Sequence, residues 1–149
     1  MLLSKIIYFD AAHSLINYLG KCKNVHGHTW KVEIRIVMSK FLLNLSDTFN
    51  GILLDFTEIA KIKELFDHKC LNDVININPT AENLASIICL MVTNLMWYRF
   101  EDIIPDSPCD FYTVSVKLWE SKTSLVKINE HDAKSWLGTN DYKTFMTGD

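Results

Sequence analysis

The chain has 149 residues, of which 48 % are hydrophobic and 22 % charged, with a formal net charge of -3. That length supports one domain with a full hydrophobic core, and the composition excludes a disordered chain. With no lysine/arginine cluster, the charge argues against nucleic-acid or anionic-membrane partners.

Residues Leu3 to Ala12 read as a first strand, rich in Ile, Tyr and Phe, and His13 follows at its end. The apolar start is short and lacks a small-residue cleavage site, so it reads as a strand and not as a signal peptide. Next comes a loop with Asn17, Gly20 and the pair Lys21 and Lys23 flanking Cys22. The second strand is marked by alternation: His28, Trp30, Val32, Ile34 and Ile36 share one face, and Lys31, Glu33 and Arg35 the other. His26 and His28 fall on the apolar face, about 7 Å apart along the strand.

Asn44 to Gly51 reads as a loop, and Ile52 to Asp55 as a short extended piece. Asp55 and Glu58 have capping-box spacing, and Ile59, Ile62, Leu65 and Phe66 recur at helical intervals. A first helix is therefore expected over about 56–66, with Asp67-His68 at its exit. Asn72 to Pro79 is a second loop. Thr80 is placed to cap a long helix with Leu84, Ile87, Ile88, Met91 and Leu95 on one side. The apolar run from Leu84 to Trp97 is too short and too polar to span a bilayer. Pro105 and Pro108 end that region. Tyr112, Val114, Val116 and Leu118 form another alternating face, continued by Glu120, and Ser124 to Ile128 returns as a hairpin partner. The expected order is strand-strand-helix-helix-strand-strand: a single α+β domain over residues 1–149, with both helices on one side of an antiparallel sheet. The tail over 129–149 is polar, with Trp136, Tyr142 and Phe145 dispersed through it. Its pattern fits either packing or a loose end.

The four cysteines show no disulfide-framework spacing, and a reducing cytoplasm is expected. Cys70, Cys89 and Cys109 read as structural. The five histidines are more informative, since three of them, His13, His26 and His28, fall at strand ends. Three imidazoles without an obvious fourth ligand suit an open, catalytic zinc site, with nickel, iron or copper as other imidazole-binding metals. Singly, each could be an ordinary core or surface histidine. Cys22 has three readings: a fourth zinc ligand, a thiolate favoured by neighbouring positive charge, or a loop cysteine. Asp67-His68 could be a helix-end pair, or a carboxylate orienting an imidazole for proton transfer. Glu120 prolongs an apolar face, which is costly unless it is paired, bound to a ligand or already in solvent.

Taken in order, Phe9-Asp-Ala-Ala-His13, Cys22-Lys-Asn-Val-His26-Gly-His28, Leu54-Asp-Phe56, Asp67-His68, Cys70-Leu-Asn-Asp73, Asn78-Pro-Thr-Ala-Glu-Asn83 and Trp119-Glu120 resemble the 6-pyruvoyltetrahydropterin synthase / 6-carboxytetrahydropterin synthase family. The resemblance runs from about Met1 to Ile128. It implies the tunnelling fold, in which trimers, usually stacked in pairs, join their sheets into a barrel. It implies one Zn2+ per subunit on His13, His26 and His28. Cys22 would be the general base, with Asp67 and His68 completing a proton relay, and Glu120 would grip the pterin ring, with Thr80 and Glu82 in a substrate-binding segment. The implied substrate is 7,8-dihydroneopterin triphosphate. The three-residue gap between Cys22 and His26 resembles the carboxy-forming branch that feeds 7-deazapurine and queuosine synthesis. The pyruvoyl-forming enzyme is the second reading, and a non-enzymatic zinc-stabilised binding module the third.

Overall fold

Two long strands form the centre of the fold. β1 (Leu2–His13) and β2 (His26–Met38) pair antiparallel along their whole length, from Leu2 opposite Val37 to His13 opposite His26. The computed structural model describes residues 1–45, 49–104 and 110–147. The predicted breakers Pro105 and Pro108, the cysteine Cys109 and part of the 44–51 loop lie outside the described residues.

After β2 the chain runs through α1 (Lys40–Leu43), α2 (Phe56–Ala60), the two-residue β3 (Lys69–Cys70), α3 (Leu71–Val74) and the long α4 (Ala81–Phe100). It closes with β4 (Tyr112–Trp119), β5 (Leu125–Asn129) and α5 (Glu130–Leu137). The sheet order is β3-β1-β2-β4-β5. All pairings are antiparallel except β1 with β3, which is parallel. The expected four-stranded antiparallel sheet is therefore a five-stranded mixed one, because the two residues after His68 add to the edge of β1. The class is α+β.

Period-two patterning decides which face is covered. Ile7, Phe9, Ala11 and His13 of β1 point inward with Trp30, Val32, Ile34 and Ile36 of β2 and Tyr112, Val114, Val116 and Leu118 of β4. α4 lies over this face. Thr80 caps it as expected, its hydroxyl accepting from Asn83 N at 3.2 Å. Its apolar stripe is wider than expected: Ala85, Cys89, Leu90 and Val92 are buried as well. The reason is α5, which covers a flank of α4 that the sheet leaves open. Cys89 is thus structural, and burial pushes its thiol up to about 12, with Glu130 adding to the rise.

The first helix begins where Asp55 accepts from Thr57 N at 2.8 Å, but it is α-helical only to Ala60 and tightens to a 3-10 turn over Lys61–Leu65. The tail is not loose. Asn129 caps α5 by accepting from Asp132 N at 2.9 Å, and Gly138 ends it at a φ of 72°, the left-handed value that favours glycine. Beyond it, Met146 bridges Ile75, and Thr147 N donates to Val74 O at 2.8 Å. No helix among the described residues is long and apolar enough to cross a membrane.

Candidate metal centre and active site

The hairpin register builds the site. His13 stands opposite His26, and Ala11 opposite His28, so β1 and β2 place three imidazoles on one face at one end of the sheet. Their ring centroids lie 4.6, 4.9 and 5.1 Å apart. One nitrogen from each lies within 4.8 Å of the others, and among the described residues His13, His26 and His28 alone form such a metal-capable cluster.

Two backbone carbonyls set the rings. His13 Nδ1 donates to Pro79 O at 2.7 Å, and His26 Nδ1 donates to Asn24 O at 2.9 Å. That arrangement turns the Nε2 lone pair of both rings toward the cluster, as the outer partners of metal-binding histidines do. The Nε2 atoms of His13 and His28 are buried without a hydrogen-bond partner, which is costly for a polar atom unless a ligand takes it up. The imidazoles therefore fit a divalent metal such as zinc. Zinc bonds to imidazole nitrogen are ~2.0–2.1 Å. Burial lowers the pKa of His28, and the His13 and His26 imidazoles lower it further against the pull of Glu120. This favours the neutral form that metal binding requires.

Glu120 follows β4 on the inward parity. Its Oε1 lies 3.4 Å from His13 Nε2 and 3.8 Å from His28 Nε2. With His28 and Trp119 it lines a cavity of about 570 Å3, within the ~300–1,000 Å3 usual for small-molecule sites. A second cavity, of about 600 Å3, is lined by His28 and His68 together with Asp10 and Cys70. His28 borders both.

The remaining predicted residues are spread around this centre. Cys22 is half-buried on a 3-10 turn over Lys21–Lys23, in the loop joining the two histidine-bearing strands. Its carbonyl accepts from Leu15 N at 2.8 Å, closing that loop, and it does not join the metal-capable cluster. Asp67 accepts from Asp10 N at 3.0 Å, and its Oδ1 is 3.9 Å from His68 Nε2. His68 has a φ of 57°, and its side chain is 80 % exposed. Thr80 uses its hydroxyl as the α4 cap, and Glu82 is exposed in the first turn of that helix.

Sequence reasoning missed the asparagines that bind these loops together. Asn72 exchanges two hydrogen bonds with the Ser14 backbone, at 2.8 and 2.9 Å. Asn78 accepts from Ile16 N at 2.9 Å and donates to Ile16 O at 3.4 Å. Both fall in stretches that carry the family resemblance, but residue type alone does not distinguish a loop clamp from an ordinary turn asparagine.

Comparisons with known proteins bear on the family and the fold. The profile of the family described as "6-pyruvoyl tetrahydropterin synthase" matches residues 2–131. The 6-carboxy-5,6,7,8-tetrahydropterin synthase of Rickettsia conorii is 30 % identical over 146 residues, covering 82 % of this chain and 95 % of that protein. The Synechocystis protein of the same name is 31 % identical over 86 residues, covering 54 % of this chain and 65 % of its relative, just under two thirds. The 6-pyruvoyl tetrahydropterin synthase structure from Plasmodium falciparum superposes with a TM-score of 0.55 at 14 % identity, over 86 % of this chain and 97 % of that one. At that identity the likeness is one of fold.

Proposed function

Since this chain belongs to the 6-pyruvoyl tetrahydropterin synthase family, we propose that it is a 6-carboxy-5,6,7,8-tetrahydropterin synthase. It converts 7,8-dihydroneopterin triphosphate and one water to 6-carboxytetrahydropterin, acetaldehyde and triphosphate, in the cytoplasm, on the route to 7-deazapurines and queuosine. The observation that carries this reading is the meeting of two cavities at His28, one lined by Glu120 and the other by His68, beside three imidazoles that could hold a metal ion. The carboxy-forming branch is favoured by the three-residue gap from Cys22 to His26 and by the names of the Rickettsia and Synechocystis relatives.

In this reading His13, His26 and His28 hold one zinc ion per subunit. When bound, zinc supplies Lewis acidity that polarises the substrate side-chain hydroxyls and makes the adjacent C–H bonds more acidic. Glu120 accepts hydrogen bonds from the N–H edge of the pterin and fixes the ring in the 570 Å3 cavity. Cys22 takes a proton from the side chain as thiolate. His68, steadied by Asp67, exchanges protons with the substrate from the other cavity. Thr80 and Glu82 sit in the segment that closes around the pterin.

Assembly belongs to the proposal. The outward face of the sheet exposes Leu2, Ile6, Tyr8, Val37 and Leu125 between its charged residues. The short β3 and β5 leave open edges. A trimer, or two stacked trimers, would cover both and bring a second chain to His68.

The test is mass spectrometry of the products after zinc-loaded protein meets 7,8-dihydroneopterin triphosphate. 6-Carboxytetrahydropterin with acetaldehyde is the expected result. 6-Pyruvoyltetrahydropterin alone would assign the pyruvoyl branch, and no turnover by folded, zinc-bearing protein would leave a binding module.

A further inference from the structure

The C-terminal helix α5 carries Trp136, beyond the residues matched by the family profile. Its indole N–H donates to Asn83 Oδ1 at 2.7 Å. Asn83 Nδ2 in turn donates to Asn78 O at 2.8 Å, and Asn83 N donates to Thr80 Oγ1 at 3.2 Å. Between Asn78 and Thr80 stands Pro79, whose carbonyl accepts from His13 Nδ1 at 2.7 Å. A continuous line of hydrogen bonds and two covalent links thus joins a tail residue to a candidate metal ligand.

The direction of each bond matters. Indole nitrogen only donates, whereas an asparagine side chain accepts at one end and donates at the other. With Trp136 holding Oδ1, the Asn83 amide must present its NH2 to the Asn78 carbonyl. Without the indole N–H, Oδ1 loses the donor that pins the plane of the amide, and the Nδ2 bond to the Asn78 carbonyl is held less firmly. The Asn78 carbonyl, held by Asn83 Nδ2 and by Thr80 N at 2.8 Å, would then be steadied by one firm donor instead of two. The Pro79 carbonyl would be less firmly fixed against His13.

We propose that Trp136 is a positioning residue for the metal centre, setting the His13 ring through Asn83 and the Asn78–Pro79–Thr80 turn. The inference rests on the metal reading of His13, His26 and His28, and it gives the segment beyond the family profile a role in the site.

The experiment is carried out on the full chain with Trp136→Phe, which keeps an aromatic ring and removes the N–H, and with Asn83→Leu, which breaks the line at its next link. Hydrogen exchange of the His13 Nδ1 proton, followed by NMR in the metal-free protein, should be about tenfold faster in both. Zinc affinity, measured by competition with a chromophoric chelator, should fall about 3–10-fold, less than the ~10–100-fold cost of losing a direct outer partner. The double variant should be no worse than Asn83→Leu alone, since both act through one line. An unchanged His13 exchange rate in Trp136→Phe overturns the proposal, whatever happens to its melting temperature. Fully additive losses in the double variant overturn it as well. If the wild type takes up no zinc, the metal reading fails, and the exchange rates alone decide the role of Trp136.

Discussion

The two halves of the candidate site are built in opposite ways. In the metal half, His13 and His26 are each held by a backbone carbonyl, and His13 is fully buried. In the relay half the backbone is the fixed part: His68 N donates to Asp10 O at 2.6 Å, and Asp10 N donates to Asp67 Oδ1 at 3.0 Å. The His68 imidazole, however, is 80 % exposed and 3.9 Å from its carboxylate neighbour. A left-handed backbone at a residue with a β-carbon costs ~1–2 kcal/mol, and His68 bears it at a φ of 57°. Strain of this kind persists where it aims a side chain. The three imidazoles thus cluster within one chain, whereas the His68 ring stands out in solvent.

The largest effect should come from breaking the metal half. His26→Ala removes a ligand whose ring is only half-buried, so the fold should survive. Zinc affinity should drop by more than ~100-fold, beyond the cost of losing an outer partner, and turnover should vanish. Chelator competition with circular dichroism checks this. Unfolding on zinc removal would make the metal structural, as in domains that fold only around their ion. Next is the relay half. His68→Ala should keep zinc and melting temperature but lower kcat by ~10²–10⁴, the usual share of a positioned acid–base group. Cys22→Ala should behave in the same way, and zinc loss from it would make Cys22 a ligand. Glu120→Ala sits between the halves. It should weaken pterin binding by roughly 10–100-fold, as the loss of a charged hydrogen bond of ~1.5–3 kcal/mol requires. Titration calorimetry with substrate and with zinc separates the two affinities, and an equal fall in both would place the carboxylate on the metal.

His26, His28 and the pair Asp67-His68 were legible in the sequence as candidates, whereas the backbone bonds that hold them were not. Strand parity put His26 and His28 on one face, and continuation of the β4 face put Glu120 inward. Both follow from a period of two, which survives any loop. The register that sets His13 opposite His26 depends on how a twelve-residue connection closes, which no periodicity encodes. β3 was invisible because two residues have no pattern; it exists only through its pairing with Ala11 and Ala12. The carbonyls of Pro79 and Asn24 are backbone groups and leave no mark in residue type. α5 did leave marks, an asparagine three residues before Asp132 and a glycine at its end. Its apolar positions were too few to announce a buried face.

The smallest effect tests whether support for the metal half can be strengthened without touching the relay half. Glu130 opens α5 and is buried against the core, with Oε2 lacking a partner. Burial raises its pKa, while Lys134 and the Val114 amide pull the other way. The sign follows from linkage. The folded chain binds the Glu130 proton more tightly than the unfolded chain, which releases it near pH ~4.3. This contribution to stability is complete below that pH and is lost as pH rises through the folded-state value. Glu130→Gln keeps the shape and has no proton to lose. It should raise the melting temperature at neutral pH by a few degrees, with ~2–4 °C for each kcal/mol in a chain near this size. The gain should shrink to nothing below pH ~4, while kcat and zinc affinity stay at wild-type values. Melting curves at pH 4 and pH 7.5 decide it. An equal shift at both would mean that folding leaves the proton equilibrium of Glu130 unchanged, and that α5 is held to α4 by packing and by Trp136.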